Sequence, residues 1–181
     1  RPKGSRQEAV VTEDGIVGAR GRNANQHQWY NHMSALKVKS QIGEDIWKNY
    51  FKFCNIRNPW DKTVSAFHHA HPEIKSENRE TIFKTFNSWV LKGDKLNPNR
   101  GTYCINNKPV VDDVIRYETL LPDINRICGI FGVPTVDLPN LKSEKRGEDK
   151  IDFHEYYDEK SKQIVEALYD IEIRQYGYSF E

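Results

Sequence analysis

The stretch FKFCNIRNPWDKTVSAFHHAH, residues 51–71, decides the fold prediction. Its first seven residues alternate around an aromatic and β-branched core, which predicts a strand over 51–57. Asn58 and Pro59 end this strand, and Pro59 suits the first turn of a helix, because its missing N–H would have no intrahelical partner there. We therefore predict a strand, a tight turn and a helix that begins at about Trp60.

Further strands and helices follow the same alternation along the chain. Residues 111–118 are typical of a second strand, and 1–31 is loop-rich apart from a short strand at 15–19. Apolar residues at helical spacing, together with capping residues, predict helices at 34–42, 44–51, 80–93, 120–132 and 158–180. Strands separated by helices indicate parallel β–α units and an α/β fold, and we treat 1–181 as one domain.

Composition excludes several classes of protein. The formal net charge of the 181 residues is only +1, so the chain lacks the overall basic field of a nucleic-acid-binding protein. No stretch reaches the roughly 20 apolar residues of a membrane span. The three cysteines lack metal-ligand spacing, which favours a reducing, cytoplasmic compartment; the Golgi lumen is the alternative if the chain is a fragment of a membrane-anchored protein.

Arg57 is the last residue of the predicted strand, at the edge where open α/β sheets bind ligands. The start of the next helix is expected to offer unpaired backbone N–H groups, which favour a phosphate or sulfate, and Arg57 would add a bidentate guanidinium. Ser65 lies four residues after Asp61 on the same helical face and would add a hydroxyl. Alternatively, Arg57 forms a structural salt bridge with Asp61 and Ser65 is a packing residue; the local residues leave both interpretations open.

The stretch YFKFCNIRNPWDKTVSAF resembles the central motif of the sulfotransferase family, a strand followed by R-[DN]-P and a helix with a serine eight positions after the arginine. The resemblance continues through VIRYETLLPDINRICGIFGVP, LPNLKSEKRG and EYYDEKSKQIVEALYDIEIRQYGYSF and covers roughly residues 28–180. It implies a carbohydrate- or Golgi-type sulfotransferase that uses 3′-phosphoadenosine-5′-phosphosulfate (PAPS). The implied fold has three layers, a parallel central sheet flanked by helices, like the P-loop nucleotide hydrolases.

The resemblance also implies roles for individual residues. Arg57 and Ser65 match the pair that binds the 3′-phosphate of PAPS. Tyr117 matches the tyrosine near the adenine, although it could equally be a core tyrosine of its strand. Lys142 and Arg146 fall in the late basic loop that in similar enzymes closes over the 3′-phosphate, and the alternative for them is a solvated turn.

Sulfuryl transfer needs a base that takes the proton of the acceptor, and histidine has the most suitable pKa. His32 lies upstream of the central strand, where similar enzymes place a catalytic histidine, and is the candidate base. Alternatively, His32 caps or packs against the helix that follows it. His27 is the second choice.

Neither a metal site nor a kinase site is predicted. His68, His69 and His71 have no patterned acidic partner, so we interpret them as a solvated helix end. A P-loop kinase would place a magnesium-binding acid after a strand, whereas Asp112 and Asp113 precede theirs.

One expected motif is absent from the chain. Similar sulfotransferases carry a Pro-Lys-x-Gly-x-Thr/Ser loop between a strand and a helix, and its lysine neutralises charge on the leaving oxygen. RPKGSR contains Lys3, Gly4 and Ser5 but lacks those flanking elements. Two interpretations are possible: the sequence lacks the first strand, loop and helix, or the protein has lost the catalytic lysine. We favour the first.

The predicted function is sulfuryl transfer from PAPS to the hydroxyl or amine of an acceptor, a carbohydrate or small metabolite, without a metal. The alternative is a non-catalytic module that binds a nucleotide or a sulfated glycan through the same anion site. The partners are therefore a nucleotide donor and an acceptor, and neither nucleic acid nor a membrane is expected. In similar enzymes the acceptor pocket comes from variable loops, such as 15–31 and 93–110 here.

Overall fold

Short strands and medium-length helices alternate in the computed structural model, which describes residues 8–13, 15–21, 23–93, 96–135, 137 and 151–181. The strands are β1 (Val10–Thr12), β2 (Gly15–Val17), β3 (Phe53–Ile56), β4 (Cys104–Ile105), β5 (Lys108–Pro109) and β6 (Asp113–Arg116). The helices are α1 (Ala35–Ile42), α2 (Glu44–Asn49), α3 (Pro59–Ala70), α4 (Arg79–Lys92), α5 (Leu120–Ile130), α6 (Glu159–Leu168) and α7 (Asp170–Tyr176). The predicted strand, turn and helix around Asn58 are thus confirmed.

The chain divides into two compact units, Arg1–Phe53 with Asn99–Asp113 and Cys54–Pro98 with Val114–Glu181. In the first unit, β1 and β2 form an antiparallel hairpin, and β4 and β5 form a second one. Asn106 and Asn107 join β4 to β5 with φ angles of 51° and 60°. Such left-handed angles at both central residues suit a two-residue hairpin turn, in which asparagine is favoured.

β3 and β6 pair in parallel and carry the candidate site at their ends. The Asp113 N–H donates to the Lys52 carbonyl at 3.2 Å, and the Tyr117 N–H donates to the Ile56 carbonyl at 2.8 Å. The partners advance in the same direction along both strands, which defines a parallel ladder. The mixed helices and strands with this small parallel sheet are compatible with the predicted α/β class.

The core of the second unit is aromatic. α3, α4, α6 and the 3₁₀ turn Phe153–Tyr156 enclose it. Its fully or almost fully buried members are Trp60, Val64, Phe67, Phe86, Val90, Tyr156, Val165 and Tyr169. Because α3 buries its apolar face in this core, the opposite face and the N-terminal turn of α3 are held rigidly in place.

One helix prediction needs correction. The helix expected over 158–180 is two helices, because Tyr169 leaves the helical conformation (φ −106°, ψ 24°) while its side chain is buried in the core. The helix predicted over 120–132 corresponds to α5, in which Ile127 is the one buried residue and after which Phe131 is 52% exposed. In the described ranges, no helix is long and apolar enough to cross a bilayer.

Candidate anion site at the start of α3

The side chain of Asn58 closes the start of α3. Its Oδ1 accepts the N–H groups of Trp60 at 3.0 Å and Asp61 at 3.2 Å, and its carbonyl accepts the N–H of Lys62 at 2.8 Å. Pro59, which lies between Asn58 and Trp60, has no backbone N–H. The expectation that this helix start presents unpaired N–H groups is therefore wrong, because an asparagine N-cap satisfies them. Any anion bound here depends on side chains.

Arg57 has one fixed edge and one open edge. Its Nε donates to Asp61 Oδ2 at 2.5 Å, and the two side chains are 17% and 18% exposed. The salt bridge considered as an alternative therefore exists. It uses only Nε, and no group in the described residues bonds to the two terminal nitrogens. Because a guanidinium carries five N–H donors, this pairing leaves a two-nitrogen fork for a phosphate.

Tyr117 lies beside Arg57 at the end of β6. The Cζ of Arg57 is 4.2 Å from the centroid of the Tyr117 ring, within the range of a cation–π contact. The ring is 48% exposed, so Tyr117 is not a core tyrosine. The parallel ladder therefore brings the cation that ends one strand and the aromatic ring that follows the next strand into contact.

Ser65 lies one helical turn after Asp61 on α3 and is partly buried. Within the described residues, no group forms a hydrogen bond with its hydroxyl. The helical spacing places this hydroxyl on the Asp61 face, the face with which Arg57 pairs.

Lys62 is a second cation near Arg57 and was not predicted from the sequence. Its Nζ donates to the Pro98 carbonyl at 2.8 Å and lies 5.1 Å from the centroid of the Tyr169 ring. Burial is the main cause of a lowered Lys62 pKa; the Glu172 carboxylate opposes the change and the Arg57 charge reinforces it. Lys62 thus adds positive potential beside Arg57, although its ammonium group already donates a hydrogen bond to the Pro98 carbonyl. No sequence pattern distinguishes it from a solvated lysine.

Asp123, in the first turn of α5, holds the backbone just before Tyr117. Its Oδ2 accepts the Arg116 N–H at 2.8 Å and the Thr119 hydroxyl at 2.9 Å. The hydrogen bond from the Arg116 N–H is the main cause of a lowered pKa for Asp123, and Thr119 and Arg126 contribute. The ionised carboxylate therefore stabilises the turn that carries Tyr117.

We expect Asp123→Ala to destabilise the protein more near neutral pH than near pH 3. The folded-state pKa lies below the unfolded value of about 3.9, so the stabilisation by Asp123 is complete above that value and is lost as pH falls through the folded-state pKa. Urea unfolding of both proteins at the two pH values measures the effect. An equal loss of stability at both would contradict it.

His32 belongs to the first unit, whereas Arg57 and Tyr117 belong to the second. It is exposed, in a turn before α1, and has a φ of 61°, which is uncommon for a residue with a side chain. Ser34 caps α1 by accepting the Lys37 N–H at 3.3 Å, so the alternative that His32 caps this helix is wrong.

The three histidines near the end of α3 are not one solvated group. His68 is buried, and its Nε2 lies 2.8 Å from the Tyr156 hydroxyl, so its interpretation as solvated is wrong: the C-terminal turn of α3 faces the core. His69 is exposed, and His71 lies 3.0 Å from Glu73. Within the part of the chain that the structure describes, no three His, Cys, Asp or Glu side chains are arranged so that they could hold a metal ion. Lys142 and Arg146 lie outside the described residues, as do Lys3, Gly4 and Ser5.

Comparisons with known proteins identify the family. An uncharacterized protein of Archaeoglobus fulgidus is 31% identical over 105 residues, which cover 56% of this chain and 84% of that protein. No solved structure matches the chain. A family model described as the sulfotransferase family matches residues 17–179, which include β3, α3, β6 and the whole Arg57–Tyr117 site. The chain therefore belongs to the sulfotransferase family.

Proposed function

We propose that this chain transfers a sulfuryl group from PAPS to the hydroxyl or amine of an acceptor, a carbohydrate or small metabolite. Membership of the sulfotransferase family supports a transferase activity. The observation that carries the proposal for the donor is the open guanidinium fork of Arg57, 4.2 Å from the half-exposed ring of Tyr117. A cationic fork beside an aromatic face matches a ligand that joins a phosphate to a base.

The proposed roles follow from these contacts. Arg57 binds the 3′-phosphate through its two terminal nitrogens while Asp61 holds its Nε, and the Ser65 hydroxyl donates to the same phosphate. Tyr117 borders the adenine. Lys142 and Arg146 are proposed to close over the 3′-phosphate. Arg57, Ser65 and Tyr117 fit the donor because the Arg57 fork and the Ser65 hydroxyl have no partner in the described residues and because Tyr117 is accessible.

The proposed base is His32, which takes the proton of the acceptor as the acceptor oxygen or nitrogen bonds to sulfur. When bound, PAPS supplies the sulfuryl group and accepts the electron pair of the broken S–O bond on its phosphate oxygen. We further propose that residues 1–181 form one sulfotransferase domain with the three-layer, P-loop-like architecture and that it acts in the cytoplasm. The base and the architecture are supported by the family resemblance, and the compartment is supported by the odd set of three cysteines without metal-ligand spacing.

Titration calorimetry with three nucleotides tests the donor site. We expect 3′-phosphoadenosine-5′-phosphate to bind about 1000-fold more tightly than adenosine 5′-phosphate, because the charge-assisted hydrogen bonds from Arg57 and the hydrogen bond from Ser65 to the 3′-phosphate are together worth about 4 kcal/mol. Adenosine 2′,5′-bisphosphate, which has the same charge in a different place, is the matched control and is expected to bind weakly. Equal affinity for the two bisphosphates would show a non-specific anion site, and no binding of any nucleotide would overturn the proposal.

A product-release assay, combined with these titrations, distinguishes an enzyme from a non-catalytic module. A transferase releases 3′-phosphoadenosine-5′-phosphate from PAPS in the presence of hydroxyl or amine acceptors, and chromatography of the nucleotides detects it. Tight binding of 3′-phosphoadenosine-5′-phosphate without such release, in a chain that includes the lysine-bearing loop, would favour the module.

A further inference from the structure

Glu118 follows Tyr117 directly and has no role in the proposed chemistry. Its Oε1 accepts the backbone N–H of Asn58 at 2.6 Å, and Asn58 directly follows Arg57. The carboxylate of one strand-end turn thus bonds to the backbone of the other, next to both members of the Arg57–Tyr117 pair.

The second oxygen of this carboxylate has its own partner. Glu118 Oε2 accepts the hydroxyl of Tyr178 at 3.0 Å, and the Arg116 guanidinium lies 5.0 Å from the centroid of the Tyr178 ring. Burial, and next the Glu118 charge, raise the pKa of Tyr178, so its hydroxyl remains a donor. The Asn58 Nδ2 donates to the Ser179 carbonyl at 3.2 Å. The C-terminal segment therefore supports both turns.

Two hydrogen bonds, one on each side of Arg57, set the distance between Arg57 and Tyr117. On one side of Arg57, the Ile56 carbonyl accepts the Tyr117 N–H at 2.8 Å; on the other side, the Asn58 N–H donates to Glu118. A single bond would act as a hinge and leave the angle between the turns free. Two bonds that flank the Arg57–Tyr117 contact set both the distance and the angle.

We propose that Glu118, supported by Tyr178, is a positioning residue that holds Arg57 and Tyr117 in contact. It acts through its hydrogen bond to the backbone of Asn58. Its effect on nucleotide binding, but not its effect on the pair itself, rests on the proposed function.

Ring-current shifts test the proposal on the ligand-free protein. The guanidinium of Arg57 lies over the Tyr117 ring, so the NMR signals of its protons are expected upfield of ordinary arginine signals. Tyr117→Leu removes the ring and therefore shows which part of the shift the ring causes. Glu118→Ala should remove most of it. Glu118→Gln should restore it, because the amide oxygen still accepts the Asn58 N–H and the amide nitrogen still reaches the Tyr178 hydroxyl. Tyr178→Phe should give an intermediate shift.

Glu155→Ala is the matched control, because Glu155 is also an exposed glutamate and pairs with Arg79 at 3.0 Å, away from the site. It should leave the Arg57 shift unchanged. An unchanged shift in Glu118→Ala would overturn the proposal, whatever the change in thermal stability. If Glu118→Ala fails to fold, an unchanged shift in Tyr178→Phe overturns it and a reduced shift supports it.

Nucleotide titration then extends the test to binding. Glu118→Ala is expected to weaken 3′-phosphoadenosine-5′-phosphate by about fivefold to tenfold, the effect of one hydrogen bond, and to leave adenosine 5′-phosphate within about twofold. A lost ring-current shift with unchanged binding would overturn the link to the nucleotide. If the unaltered protein binds no nucleotide, the proposed function fails, while the Arg57 shift still decides the role of Glu118.

Discussion

Arg57→Ala is expected to weaken the binding of 3′-phosphoadenosine-5′-phosphate by about 100-fold, since a bidentate guanidinium–phosphate contact comprises two charge-assisted hydrogen bonds. The affinity for adenosine 5′-phosphate should change by less than about threefold, because its phosphate is not the one that Arg57 is proposed to bind. Calorimetric titration of both nucleotides gives the two ratios directly.

Two further variants make this result specific. Arg57→Lys keeps the charge but loses the fork, so we expect an intermediate loss of about tenfold. Arg79→Ala removes an exposed arginine that pairs with Glu155 and should leave both affinities unchanged. If Arg57→Ala lowers stability in urea while both nucleotides bind as before, the Arg57–Asp61 pair is a structural salt bridge and the donor site lies elsewhere.

Phe86→Ala is expected to lower the free energy of unfolding by about 4 kcal/mol, because a fully buried phenylalanine loses its transfer free energy and leaves a cavity. Its ring centroid lies 5.3 Å from that of Phe67, 5.4 Å from Tyr156 and 4.8 Å from Tyr157. These rings belong to α3 and to the segment before α6, so one substitution loosens several elements together.

Phe131→Ala is the control, because this ring is 52% exposed. Its expected effect is within about 0.5 kcal/mol. Urea unfolding followed by circular dichroism measures both variants. A loss below about 1 kcal/mol for Phe86→Ala would contradict the aromatic core around α3 and α4.

Local features of the fold were predictable because neighbouring residues determine them. Asn58 and Pro59 specify the strand-to-helix turn by their own conformational preferences, and Ser34 specifies the start of α1. The break at Tyr169 was not predictable, because the apolar periodicity continues through it. The break follows from the burial of its side chain in a core made by other elements.

In the candidate site, too, some features were predictable from the sequence and others depend on contacts between distant residues. Arg57, Ser65 and Tyr117 were identified from a motif and its spacing, and the structure brings Arg57 and Tyr117 into contact. The Glu118 contact with Asn58 spans 60 residues, and the Lys62 contact with Pro98 spans 36. Such pairs depend on which strands and helices become neighbours, and no local pattern in the sequence encodes that.

The Asn58 cap also has an evolutionary consequence. Of the described groups at the start of α3, the backbone amides are already satisfied, so the donors proposed for the anion belong to the Arg57 and Ser65 side chains. Where backbone amides bind a ligand, altering the site means altering the fold. Here a single substitution, at Arg57 or Ser65, can change which ligand binds while the turn, the cap and the strand ladder stay intact. Ligand specificity can therefore diverge among descendants with little effect on folding.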